Sequence, residues 1–149
     1  MRARIIDDDT ERTWALVLAT GDEIVATLTA FASREGLSAA RFTAIGALSD
    51  AVLGYFDWEL RDYARIPVRE QVEVLSLVGD VARERGAPKV HAHVVVGKRD
   101  GTAHGGHLLE AHVRPTLEVM LTEAPARLSR VFDPQSGLAL IDVDAPTAR

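Results

Sequence analysis

Short apolar runs dominate the pattern of hydrophobic and polar positions along the chain. The first, Thr13–Thr20 (TWALVLAT), is closed by Gly21 and has the length and composition of a buried strand. From residue 39 onwards, most apolar segments again have strand character. The polar segment Trp58–Pro67 is predicted to be irregular. Further strands are predicted at Ala39–Leu48, Asp50–Asp57, Val72–Val81, Pro115–Ala124 and Leu138–Val143, with two more among the histidines of Lys89–Val113.

The strand predicted at Val72–Val81 is apolar on both faces. Simple alternation places Val74 and Val78 on one face and Leu75 and Leu77 on the other. Such a strand needs to be covered from both sides.

Between Gly21 and Gly36 the apolar residues recur at helical spacing. Asp22 and Glu23 favour a helix N-terminus, and Gly36 suits the left-handed conformation that often ends a helix. This segment is therefore predicted to be the main helix. Its apolar face comprises Ile24, Val25, Leu28, Phe31 and Ala32.

One helix and about seven strands, largely joined as hairpins, indicate an α+β domain with a mainly antiparallel sheet. A chain of 149 residues that is 47% hydrophobic can form one core, and it contains no internal repeat or long linker. We therefore expect a single domain over residues 1–149. Apolar runs such as Trp14–Ala19 are too short to cross a membrane, and the charged N-terminus does not resemble a signal peptide. These features predict a cytoplasmic protein without a membrane partner.

Two properties of the composition restrict the chemistry. The absence of cysteine excludes disulfides, iron–sulfur clusters and thiolate zinc sites. The formal net charge of −5 disfavours autonomous binding to nucleic acid, since affinity for DNA comes mainly from neutralising phosphates. Arg83, Arg85 and Lys89 could form a small basic patch, but a solvated loop is the simpler interpretation.

All five histidines lie between Lys89 and Val113. His91 and His93 share one face of a strand because side chains alternate. A two-residue turn in the KRDG segment would point His107 away from His93. A three-residue loop, Arg99–Gly101, would instead place His107 directly opposite His93, with the glycine in the left-handed conformation. We prefer this second register, although a bulge at Gly105 and Gly106 would shift it by one residue.

In the preferred register, His91, His93 and His107 form a candidate metal site. Three neutral imidazoles can bind zinc and leave a fourth position open for a ligand, as in catalytic or ligand-binding sites. Zinc is our choice, but nickel, copper and iron also accept imidazole. The alternative is that His91 and His93 only line a polar strand face.

The remaining titratable groups of this segment are weaker candidates. His104 falls on the opposite face of the hairpin and His112 lies beyond its paired part, so both are interpreted as surface residues. Alternation also directs Glu110 away from His107. Glu110 is a candidate catalytic proton-transfer group only if the strand is irregular there.

The chain resembles the plants-and-prokaryotes-conserved (PPC) domain family, which in plants accompanies AT-hook DNA-binding motifs. The resemblance rests on IGAL, LGYFD, EVLSL and GGHLLE, which occur here in this order, and it extends over nearly the whole chain. It implies a PPC-like α+β fold and a homotrimer. It also implies a metal site at the H-x-H motif and the histidine of GGH, which are His91, His93 and His107 here.

Three functional hypotheses follow. The first is a metal-binding homotrimer with a ligand-sensing or interaction role, linked to DNA binding or transcription regulation by family association. The second is a metal-dependent small-molecule hydrolase or lyase that uses the three-histidine site, with Glu110 as a base. The third is direct DNA binding through Arg83–Lys89. The chain lacks an AT hook, since Arg114-Pro115 has no accompanying glycine. We favour the first hypothesis and leave enzymatic activity open.

Overall fold

One helix and nine strands are formed by residues 1–7, 11–124 and 127–144, which are the parts of the chain that the computed structural model describes. They make an α+β fold with a largely antiparallel sheet, which confirms the predicted fold class. The elements are β1 (Arg2–Asp7), β2 (Thr13–Ala19), α1 (Ile24–Arg34), β3 (Ala39–Asp57), β4 (Asp62–Val68), β5 (Val72–Glu84), β6 (Ala87–Gly97), β7 (Ala103–Glu123), β8 (Ser129–Asp133) and β9 (Leu138–Asp142).

Four strands of the sheet form a closed ring. The strand order is β1-β2-β7-β3-β5-β8-β9, and β6 pairs with both β5 and β7, so that the pairings of β3, β5, β6 and β7 close a ring. The pairings are antiparallel except for β5 with β8, which run parallel. Because a ring leaves few open edges, it gives the central hairpin β6–β7 a rigid setting.

Two predictions of secondary structure were wrong. Ala39–Leu48 and Asp50–Asp57 belong to one continuous strand, β3, which bends through several register shifts against β7. The segment predicted to be irregular contains β4, which pairs with the second half of β3 from Ala51↔Val68 to Asp57↔Asp62. Most of β4 is exposed, so it lacks the buried apolar alternation by which strands are recognised.

The predicted helix is confirmed. Glu23 caps its first turn by accepting hydrogen bonds from the backbone N–H groups of Val25 and Ala26. At the other end Gly36 has φ +69°, and Leu37 N–H donates to the Ala32 carbonyl. The buried face packs against β6 and β7, the two strands of the histidine hairpin. Its members are Ile24, Leu28, Phe31 and Ala32.

A bulge in β5 overturns the predicted alternation. Val74 pairs with Val96 and Ser76 with Val95, so Leu75 is left as an extra residue. Beyond the bulge the faces exchange, and Leu77 is buried whereas Val78 is half-exposed. Val78 then lies opposite His93 on the outer face of the ring. Leu75 and Val78 remain 55% and 50% exposed, although the sequence predicted cover for both faces.

The helix α1 has 11 residues, which is too short to cross a membrane, and it is the longest helix among the described residues.

Candidate metal centre

The turn between β6 and β7 has the geometry of the three-residue loop. Lys98 N–H donates to the Thr102 carbonyl over 2.8 Å, and Gly101 has φ +83°. The Asp100 carboxylate accepts hydrogen bonds from the backbone N–H and the hydroxyl of Thr102. This loop places His93 directly opposite His107, which confirms the predicted register.

The hairpin brings His91, His93 and His107 together. One nitrogen from each ring lies within 4.8 Å of the other two, and the ring centroids are 5.1–5.3 Å apart. In a tetrahedral zinc site with Zn–N bonds of about 2.05 Å, ligand nitrogens are about 3.3 Å apart. Small side-chain rotations would close this difference, so the three donors fit a divalent cation.

Burial keeps part of this cluster uncharged. Desolvation, followed by the nearby positive charges of His91 and His93, lowers the pKa of His107 to about 4. Although the His93 side chain is exposed, partial desolvation and the charge of His91 also lower its pKa. The Nδ1 atom of His107 is buried and has no hydrogen-bond partner among the described residues. A buried ring nitrogen without a hydrogen-bond partner lowers the free energy of unfolding. A bound cation would give the neutral imidazole a partner.

His107 is held in place from two sides. Its ring stacks on Tyr63 of β4 with a centroid distance of 4.6 Å. Its neighbour Gly106 lies so close to β3 that an added Cβ would be 2.7 Å from the Gly54 carbonyl oxygen. Sequence reasoning missed Tyr63 because β4 was not recognised as a strand.

Two further residues missed by sequence reasoning fix the orientation of His91. Its Nδ1 lies 3.6 Å from Asp80, the residue opposite it on β5. Asp80 in turn accepts a hydrogen bond from Arg130 of β8 over 2.5 Å. Burial raises the pKa of Asp80, but the neighbouring His91 and the hydrogen bond from Arg130 outweigh this and lower the pKa overall. A carboxylate beside the imidazole of a candidate ligand is a common way of setting the ring's orientation.

The strand β7 is irregular at Leu109. Val52 pairs with Glu110 and Leu53 with Leu108, so Leu109 is the extra residue, and no register shift occurs at the glycines between His104 and His107. The irregularity on which a role for Glu110 depended is therefore present. The carboxylate of Glu110, however, is half-exposed and lies 3.5 Å from Arg65.

The two other histidines lie outside the cluster. His104 is exposed and pairs with Val96. His112 is opposite Asp50 on β3, and its Nδ1 lies 2.8 Å from the Asp50 carboxylate.

Comparisons with known proteins give a consistent result. The family model of the Plants and Prokaryotes Conserved domain, abbreviated PCC or PPC, matches residues 7–125. A PPC protein from Pyrococcus horikoshii is 35% identical, covers 88% of this chain and 91% of its own, and superposes with a TM-score of 0.83. A metal-containing protein from Archaeoglobus fulgidus is also 35% identical, with coverages of 94% and 96% and a TM-score of 0.81.

Two further proteins are similar to the chain. A protein from Ralstonia eutropha JMP134, described as a candidate DNA-binding protein, is 30% identical over 87% of this chain and 90% of its own, with a TM-score of 0.82. The bifunctional protein GlmU of Synechococcus sp. (strain JA-3-3Ab) is 30% identical over 136 residues. That match covers 89% of this chain but only 21% of the length of GlmU.

Proposed function

The chain belongs to the Plants and Prokaryotes Conserved family, and from this premise we propose that it is a homotrimeric protein that holds a divalent metal through His91, His93 and His107. The metal's remaining coordination position serves to sense or hold a small-molecule ligand. The observation that carries this proposal is the convergence of three imidazoles around one point, with a buried, unpartnered nitrogen on His107.

Zinc is the metal that we propose, because neutral imidazole is its common ligand in proteins. The 35% identical protein from Archaeoglobus fulgidus is described as metal-containing, which supports a metal in this family. A bound divalent cation would supply Lewis acidity toward an anionic or carbonyl oxygen. The chain's own residues would supply the orientation, since Tyr63 stacks on His107 and Asp80 contacts His91.

The proposed homotrimer is supported by an exposed apolar area on the outer face of the ring, which we call the outer patch. Its side chains are 40–60% exposed although they are large and hydrophobic. Such contiguous patches mark interaction surfaces on many proteins. The patch adjoins the histidine cluster, because Val78 pairs with His93. Its members are Ile45, Leu75, Val78, Val95 and Met120.

A role in sensing is better supported than hydrolysis or lyase chemistry. The enzymatic alternative needs a general base close to the metal, and Glu110 is engaged by Arg65. A role in direct DNA binding is also less well supported, because the chain carries a net charge of −5 and the Lys89 ammonium lies 3.9 Å from Glu84. The proposed link to transcription regulation therefore rests on family association.

Elemental analysis of untagged protein tests the proposed metal site. We expect about one zinc per chain, and none in the folded His91→Ala/His93→Ala/His107→Ala variant. The matched control is His104→Ala/His112→Ala, which removes histidines outside the cluster and is expected to retain the metal. Circular dichroism establishes that each variant is folded. Absence of metal after zinc has been supplied, or equal metal in the triple variant, would contradict the proposal.

A further inference from the structure

We propose that the cavity beside the histidine cluster binds a small organic carboxylate with an apolar chain, and that Arg130 is a specificity-determining residue for this ligand. This inference rests on the proposed function, because the metal is expected to share the ligand's carboxylate with Arg130.

The cavity opens directly from the candidate metal centre. It has a volume of about 360 Å³ and is bounded on one side by His91 and His107. Cavities of roughly 300–1,000 Å³ are typical of small-molecule sites. A ligand in this cavity would therefore lie against two of the three proposed metal ligands.

Arg130 gives the cavity a buried cation next to the metal centre. Its side chain is only 7% exposed. It donates hydrogen bonds to Asp80 and to the Ala139 carbonyl, and one of its terminal nitrogens lies 3.4 Å from Nδ1 of His91. Arg130 lines the cavity, and its two terminal nitrogens carry four N–H donors, more than the hydrogen bonds to Asp80 and Ala139 use.

The charges around the cavity favour an anion once a metal is bound. Arg130 is balanced by Asp80, and Lys89 at the cavity wall is balanced by Glu84. A divalent cation held by neutral imidazoles adds two positive charges that no described carboxylate of the cavity wall offsets. An anionic group at this end of the cavity would restore the balance.

The rest of the wall is mainly apolar, which favours an organic anion over an inorganic one. Leu109 of β7 and Leu138 and Leu140 of β9 line the cavity, together with the ring of Tyr63. A helix N-terminus is one common source of phosphate-binding N–H groups, and none of the described wall residues lies in α1. A carboxylate with an aliphatic chain matches both ends of the cavity.

One wall comes from residues outside the part of the chain that the family model matches. The match ends at residue 125, whereas Arg130 lies on β8 and Leu138 and Leu140 lie on β9. This hairpin is attached to the ring by the parallel pairing of Arg83 with Ser129 and Glu84 with Arg130. We therefore assign the choice of ligand to the C-terminal hairpin and the binding of metal to the ring.

Calorimetric titration with acetate, hexanoate and neutral hexanamide tests this assignment. On zinc-loaded protein, we expect hexanoate to bind at least tenfold more tightly than acetate and hexanamide to show no binding. Arg130→Gln, titrated at a zinc concentration at which elemental analysis shows it fully loaded, should bind hexanoate at least tenfold more weakly. The matched control is Arg34→Gln, since Arg34 lies on α1 and pairs with Glu35; it should leave the affinity unchanged.

A second variant and a metal-free titration separate the possible outcomes. Lys89→Gln changes an exposed residue of the cavity wall and leaves the Glu84 carboxylate there without its partner. It should therefore weaken hexanoate binding severalfold, and it tests the proposal even if Arg130→Gln fails to fold. Zinc binding without hexanoate binding, or hexanoate binding that neither variant weakens, overturns the carboxylate assignment alone. If hexanoate binds the metal-free chain equally well and depends on Arg130, the cavity assignment stands, and the proposal that the metal shares the carboxylate with Arg130 fails. If the protein binds neither zinc nor hexanoate, both proposals fail.

Discussion

At the scale of single residues, the pair His112–Asp50 links pH to stability away from the metal centre. The hydrogen bond that His112 donates to Asp50 raises the pKa of His112, and the charges of Asp50, Glu110 and Glu23 add to this effect against a smaller opposing effect of burial. The hydrogen bond from His112 lowers the pKa of Asp50. The raised pKa of His112 means that its stabilisation is complete below the ordinary value of 6.5 and is lost as the pH rises through the folded-state pKa. For Asp50 the contribution is complete above 3.8 and is lost on acidification through its lowered pKa.

We predict that Asp50→Asn returns the pKa of His112 toward its ordinary value, as measured by NMR titration of the imidazole resonances. Both side chains are more than a third exposed, so the free energy of unfolding should fall by less than about 1 kcal/mol at pH 5.5 and by less still at pH 9. The control is Glu59→Gln, an exposed carboxylate on the β3–β4 turn. An unchanged pKa of His112 in Asp50→Asn would show that the pair is not formed in solution.

At the scale of elements, the two glycines that precede His107 have different roles. An added Cβ at Gly106 would lie 2.7 Å from the Gly54 carbonyl oxygen, so the backbone of β3 or β7 would have to move. At Gly105 the nearest atoms would be 3.4 Å away, at the edge of ordinary contact. The sequence suggested only that this pair could mark a bulge.

We predict that Gly106→Ala lowers the free energy of unfolding by about 1–3 kcal/mol through overpacking and weakens zinc binding, because His107 moves with its strand. Gly105→Ala is the matched variant and should change both quantities little. Urea unfolding and competition with a zinc chelator measure the two effects. Equal behaviour of the two variants would show that close packing of β7 on β3 does not position His107.

Local patterns were sufficient to predict the helix and the hairpin. The helix follows from spacing and capping residues within Gly21–Gly36, and the hairpin register follows from the left-handed glycine of KRDG. Which residues contact the histidines depends instead on pairings between strands that are far apart in the sequence. Arg130 approaches His91 only because β8 pairs with β5, and the extra residue Leu75 exchanges the faces of β5 without any mark in its apolar pattern.

At the scale of the whole molecule, the outer patch and the histidine cluster are parts of one surface. His93 is exposed, and it lies beside Val78 at the edge of the patch. A subunit that covers the patch would therefore also limit the access of water to the cluster. In this arrangement oligomerisation would help to keep the imidazoles neutral, since exclusion of water disfavours their charged form.

We predict that Leu75→Glu dissociates the proposed trimer, because assembly would bury a new carboxylate in an apolar contact. Size-exclusion chromatography with light scattering should give three times 16.2 kDa for the unaltered chain and 16.2 kDa for the variant. Leu60→Glu is the matched control: Leu60 is 76% exposed and lies on the β3–β4 turn, outside the patch.

A mass of 16.2 kDa for the unaltered chain at micromolar concentration would remove the trimer from the proposal. A trimeric Leu75→Glu variant would instead mean that the subunits meet through another face, and the exposed side of the β8–β9 hairpin, with Val131 and Phe132, would be the next surface to alter.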